Sequence, residues 1–174
     1  MNEALQNLLT RRACRAYTGE QIRADELEDI LKAGIYAPTG MGKQSPIIVV
    51  IQDAAKIREV EKLNAEVLGN PDASPFYGAP TLLIVFGDSE SPLGVSDANL
   101  VIGNLLNGAN AVGVDSCYIW RAKESFATEA GKALKKAWNI PENYAGMGNV
   151  ILGYGRPEGK KEAAPRKADY VRRV

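Results

Sequence analysis

Three arginines stand within five positions near the start of the chain, in "RRACR" (residues 11–15). Guanidinium is planar, permanently charged and able to grip an oxyanion through two parallel N–H bonds. Arg11, Arg12 and Arg15, flanked by the small Ala13 and Ala16, form a candidate anion site. The plainer alternative is a solvated charged patch at a helix end. Cys14 lies among them, where a thiol pKa can be lowered. The chain has no histidine to serve as its base, so Cys14 reads more readily as a packed small residue. The lack of histidine also removes Ser-His-Asp and Cys-His catalysis and every His-ligated metal site. Cys14 and Cys117 show neither CxxC nor zinc spacing, and no metal site is expected. With so few acid–base groups, an enzyme built on this chain points to an organic cofactor that carries the chemistry.

Other stretches invite weaker readings. "PTGMGKQ" (38–44) looks like a P-loop, but Ala37 stands where the first glycine belongs and Gln44 where Ser or Thr belongs. That rejects a nucleotide triphosphatase. Gly40 and Gly42 still let backbone approach a flat ligand, and Gln44 adds a donor and an acceptor. "GYGRPEG" (153–159) lacks the third glycine of a dinucleotide fingerprint. "APRK" (164–167) puts Arg166 and Lys167 after a proline in a polar tail. Asn64, Asn99, Asn104, Asn107 and Asn110 read singly as structural hydrogen-bonders or surface residues. Phe76 and Tyr77 read equally as a lid or as a hydrophobic plug.

The bulk properties narrow the class. The 174 residues suit a single domain with a sizeable core, 45% hydrophobic and 24% charged. The 21 Lys and Arg balance 21 Asp and Glu. Zero net charge argues against general nucleic-acid binding. No apolar run reaches membrane-spanning length, and "MNEALQNLL" is not a signal peptide. Two free thiols suit a reducing cytoplasm.

The elements that must position these residues follow from periodicity. Helices are expected over 3–11, 23–38, 54–69, 97–113 and 124–140, from i, i+3, i+4 apolar spacing. Asp25 and Glu28 resemble a capping box. Strands are expected over 47–53, 81–88, 115–120 and 148–155; 47–53 has no alternation and reads as covered on both faces. The 97–113 helix is apolar or small nearly all round. It contains Gly103 and Gly108, which cost about 1 kcal/mol each relative to Ala and suggest close backbone packing. Residues 155–174 form a tail with little apolar content. After the short first helix, helix and strand alternate four times in one layered α/β or α+β domain.

Taken in order, "RRACR", "APTGMGKQSP", "GVDSCYIW" and "LGYG…PRK" resemble the nitroreductase family of FMN-dependent oxidoreductases, and the resemblance spans nearly the whole chain. It implies an α+β, three-layer fold. Its central mixed sheet would have about four strands, plus a C-terminal strand contributed by a partner, in a homodimer with FMN at the interface. It implies that Arg11 and Arg12 hold the phosphate, with Ala13 beside them and Arg166 closing from the tail. Arg15 would support the charge that collects near flavin N1 on reduction. Pro38, Thr39 and Gly40 would line the ring edge from the other subunit, Gln44 would help fix their loop, and Asn64 would contact the flavin. Backbone at Ile119, Trp120 and Arg121 would face N5. No residue need act as acid or base, since NAD(P)H and an electron-poor acceptor (a nitroaromatic, quinone or enone) would alternate on the flavin. Departures from the family pattern are Ala13 for Ser, Gly42 for Asn, Ser45-Pro46 for Pro-Trp, and a bulky Trp120. The alternative is a non-catalytic FMN carrier or sensor.

Overall fold

The computed structural model describes all 174 residues. Six helices and four strands follow the order α1 (Glu3–Thr10), α2 (Ala24–Ile35), β1 (Ile47–Ile51), α3 (Ala54–Leu68), β2 (Thr81–Asp88), α4 (Gly94–Ala111), β3 (Asp115–Ile119), α5 (Ala122–Ser125), α6 (Glu129–Ala137) and β4 (Tyr144–Gly153). No helix is long and apolar enough to cross a membrane.

The sheet order is β1-β2-β4-β3. All three pairings are antiparallel. The mixed sheet expected from sequence is thus antiparallel in its four strands; the parallel component is one isolated bridge, Ala13 with Ser116. β2 and β4 are central, and β2 sends alternate residues to opposite faces. Leu82, Ile84 and Phe86 join Ile57, Val60, Phe76 and Phe126 on one side. Leu83 and Val85 join Ile30, Val101, Ile102 and Leu105 of α2 and α4 on the other. Each such side chain contributes about 1.5–3 kcal/mol on burial, and the two cores give the three layers.

β1 is covered on both faces only in part: Ile47, Val49 and Ile51 pack on one core and Ile48 on the other, but it is an edge strand, fully buried only at Ile51 and exposed at Val50. α1 likewise buries no residue. Leu5, Leu8 and Leu9 stay more than half exposed, and the helix is held to α4 by polar bonds from Asn7 to Asn107 and from Asn110 to Asn7. The α2 cap also shifts: the Glu26 carboxylate accepts from Arg23 N–H (3.0 Å). Glu26 wins because it is buried and also accepts from Tyr154 Oη (2.6 Å).

The helix expected over 124–140 is broken in two. Thr128 starts α6 by accepting from Gly131 N (3.0 Å), and a Cβ on Gly131 would run into the Ser125 carbonyl. β4 begins four residues earlier than expected, through Gly146, where a Cβ would lie 2.7 Å from Ala122 O. In α4, a Cβ on Gly108 would sit 2.8 Å from Ala33 Cβ, so α2 does approach closely there. Gly103 has nothing within 4 Å of its Cβ position. Phe76 is a buried plug, while Tyr77 remains partly exposed. Beyond Lys160 the tail is exposed and adds no strand within the chain.

Candidate functional site

The arginine segment is fastened along the outer edge of β3. Cys14 N donates to Ser116 O (3.0 Å), and Arg15 N to Gly159 O (2.8 Å). Tyr17 Oη donates back to Cys14 O (3.0 Å). Glycine is required on the far side: Cβ atoms at Gly155 and Gly159 would lie 2.6 and 2.7 Å from Cys14 Sγ. The backbone is therefore fixed on both flanks while the guanidinium groups remain at the surface. Arg15 is exposed; Arg11 and Arg12 are half-buried.

None of the three arginines forms an ion pair. Asp115, next in chain to Ser116, is already engaged by Lys160 Nζ (2.9 Å) and Gly155 N (3.1 Å). Arg12 Nη1 donates to Leu9 O and Arg11 O (both 2.7 Å), whereas the guanidinium groups of Arg11 and Arg15 have no protein acceptor. Their field reaches the strand beneath: burial pushes the Cys117 thiol up, while Arg15 and Arg11 pull the other way. Burial also raises Cys14 and Tyr17. An unneutralised cationic cluster on a rigid backbone suits a phosphate.

Four residues along the same strand lies the second feature. Ser116 to Trp120 spans about 13 Å at strand rise. Trp120 is 66% exposed. Its N–H and that of Arg121 have no acceptor in the protein. Ile119 is buried at the strand end. Arg121 adopts a left-handed backbone, φ 75°. Asn64 is wholly buried; its Nδ2 donates to Trp120 O (2.7 Å) and its Oδ1 accepts from Arg121 Nε (3.2 Å). Both ends of this amide side chain are thus engaged by the chain itself.

The third feature is the loop after α2. Gly40 N donates to Asp97 Oδ1 (3.0 Å), and Gln44 N to Thr39 Oγ1 (2.9 Å). Tyr144 Oη holds Ser45 O (3.0 Å). Pro38, Thr39, Gly42 and Gln44 border an open hollow of about 590 Å³. This loop enters β1, the sheet edge opposite β3. Three strand spacings, about 14 Å, separate those edges. By register, the start of β1 and the end of β3 share one end of the sheet, through the rungs Ile47–Phe86, Phe86–Gly146 and Ile119–Asn149.

One chain thus unites Arg11, Arg12, Ala13, Arg15, Ile119, Trp120 and Arg121 along β3, with Asn64 behind. It does not bring Pro38, Thr39, Gly40 and Gln44 to them. Arg166 lies in the exposed tail without a hydrogen bond or ion pair to the body. The sequence reading missed the fastening set of Tyr17, Asp115, Gly155, Gly159 and Lys160. The closely spaced glycines at 153, 155 and 159 were its only visible signal.

Comparison with known proteins converges on one group. Residues 8–154 match the profile of the Nitroreductase family. An Archaeoglobus fulgidus protein, whose assigned name is NADH dehydrogenase/NAD(P)H nitroreductase, is 31% identical over 163 residues, covering 91% of this chain and 88% of its own length. A Bacillus subtilis FMN reductase [NAD(P)H] is 26% identical over 88% of this chain and 55% of its own length. The fold matches a Bacteroides fragilis nitroreductase crystallised with bound FMN, at a TM-score of 0.92 and 27% identity over the whole of both chains. The layered α+β fold is thus shared with a nitroreductase that binds FMN. The chain belongs to the nitroreductase family.

Proposed function

We propose that this protein is an FMN-dependent oxidoreductase that takes hydride from NAD(P)H and delivers it to an electron-poor acceptor such as a nitroaromatic, quinone or enone. The observation that carries this reading is the single edge of β3. The guanidinium groups of Arg11 and Arg15, free of protein acceptors, stand at one end, and the free N–H groups of Trp120 and Arg121 stand about 13 Å away at the other. Fixed cations suit the phosphate of FMN, and free amides suit the hydrogen-bonding edge of its ring. When bound, FMN supplies the hydride-accepting and hydride-donating centre, so the two substrates take turns in a ping-pong sequence. The chain's own task is to bind, orient and tune. Arg11 and Arg12 hold the phosphate end, Arg15 adds positive potential, and Trp120 walls one side of the substrate space.

The working unit in this reading is a homodimer. Pro38, Thr39, Gly40 and Gln44 sit at the opposite sheet edge, so a second copy is what delivers them to the arginine edge. Exposed Leu5, Leu8 and Leu9 on α1 and Leu100 on α4 supply apolar surface for that contact, and the polar tail with Arg166 crosses to the neighbouring phosphate.

The first test is an absorption spectrum of the purified protein before and after NADH or NADPH is added. A flavin band that bleaches supports the oxidoreductase. A band that persists with both nucleotides points to a carrier or sensor, and no band after reconstitution with FMN overturns the reading.

A further inference from the structure

Asn64 controls one peptide plane. The plane between Trp120 and Arg121 carries its carbonyl towards α3, where Asn64 Nδ2 donates to it (2.7 Å). Across a trans peptide the C=O and N–H point in opposite directions. Drawing the Trp120 carbonyl inward therefore turns the Arg121 N–H away from α3, and that N–H has no acceptor in the protein. The next peptide plane is fixed separately, because Ser125 N donates to Arg121 O (2.9 Å) in the first turn of α5. Arg121 itself stands at φ 75°, ψ 11°. For a residue with a Cβ, that region is penalised roughly tenfold in population. Strain of this kind persists only where the surroundings hold it. Asn64 supplies the hold twice, through Trp120 O and through Arg121 Nε (3.2 Å).

We infer that Asn64 is a positioning residue: it presents the Arg121 N–H to the ring edge of the bound cofactor by fixing the Trp120–Arg121 peptide, and does not itself touch the cofactor. The inference rests on the flavin reading above. Its buried location, with 0% exposure and both amide ends engaged, is what separates the two roles.

The test is a double-mutant cycle on the full-length protein, read by FMN dissociation constant (quenching of flavin fluorescence) and by the position of the bound-flavin absorption band. With Arg121 present, Asn64→Ala weakens FMN binding about tenfold, the left-handed penalty released, and moves the band towards that of free FMN. In the Arg121→Gly background the same substitution weakens binding less than about threefold, because glycine holds a positive φ without help. Equal losses in both backgrounds, or wild-type affinity in Asn64→Ala, overturn the inference. If Asn64→Ala melts below the assay temperature, Asn64→Asp serves. It keeps an acceptor for Arg121 and removes the donor to Trp120 O, so the tenfold loss is again expected and wild-type affinity again overturns the claim. A wild-type protein that binds no FMN overturns the flavin reading and this inference together. A wild type that binds FMN as tightly as every Asn64 variant overturns this inference alone.

Discussion

Arg11→Ala isolates the anion site from the fold. The Arg11 guanidinium has no acceptor in the protein, and its backbone bonds to Asn7 O and from Arg12 Nη1 survive truncation, so the substitution breaks no internal bond. It also relieves repulsion from Arg12 and Arg15. The cofactor-free protein should therefore keep its melting temperature, since a substitution of this kind stays within about 0.5 kcal/mol. FMN binding loses a charge-assisted hydrogen bond, about 1.5–3 kcal/mol, or roughly 10- to 100-fold in dissociation constant. At fixed excess FMN, the same free energy leaves the cofactor-bound stability. For a chain of this length, 1 kcal/mol moves the melting temperature by about 2–4 °C. The FMN-induced rise in melting temperature should shrink by about 3–12 °C. Paired thermal melts with and without FMN, beside a fluorescence titration, read both quantities.

Arg12→Ala is the internal control. Arg12 Nη1 holds Leu9 O and Arg11 O, so its loss should lower the cofactor-free melting temperature more than Arg11→Ala does and weaken FMN less. Wild-type FMN affinity in Arg11→Ala would refute the phosphate assignment. A loss of affinity that appears only together with a fall in cofactor-free stability would refute the reasoning, because it would show that Arg11 works through folding.

Three further outcomes are expected. Burial raises Tyr17 above its ordinary value, so the unfolded chain releases this proton first: the contribution is complete below about pH 10 and falls as pH rises beyond it, by up to about 1.4 kcal/mol per pH unit. Urea melts from pH 8 to 11 should show that slope reduced in Tyr17→Phe, which itself loses about 1 kcal/mol at neutral pH with the bond to Cys14 O; an unchanged slope contradicts the assignment. Gly103→Ala should stabilise the chain by up to about 1 kcal/mol in denaturant melts, because nothing lies within 4 Å of the new methyl, and a destabilised variant would put a second copy's backbone at that position. Cys14 and Cys117 are buried and their thiols are pushed up, so alkylation at neutral pH should await unfolding; rapid labelling of the folded protein would show the arginine segment lifting off β3.

The sequence made the elements legible wherever local periodicity and burial agree. β2, "TLLIVFGD", is apolar throughout and buried as expected. α3 spans Ala54–Leu68, close to the expected 54–69, between the Asp53 cap and left-handed Gly69. Legibility failed where a distant contact decided the outcome. β1 is as apolar as β2, yet it lies at the sheet edge, and strand order is not written in composition. Residues 124–140 keep helical character in the letters, yet the chain turns at Thr128, where Gly131 packs against Ser125 O with no room for a Cβ. Among the site residues, the arginine cluster was visible from spacing, and its bareness was not: that depends on Lys160 occupying Asp115. The role of Asn64 was equally hidden, because its partners are 56 and 57 residues away.

The departures from the family pattern take on a physical sense at this edge. Ala13 lacks the hydroxyl that a serine would offer an anion; in the proposed site the guanidinium groups stand in for it, on a backbone fastened by the bridge to Ser116 and by Cys14 N. Gly42 stands at φ 66°, in the loop that Thr39 and Asp97 already hold; a side chain there would face open space and is not needed to shape the turn. Trp120 is the departure with the largest reach. Two-thirds exposed beside two free amides, its indole offers a flat apolar surface to whatever stacks on the site. A Trp120→Ala variant that keeps FMN affinity but changes the ranking of acceptors by kcat/KM would assign substrate choice to this side chain. An unchanged ranking would assign it to the loop from the opposite sheet edge.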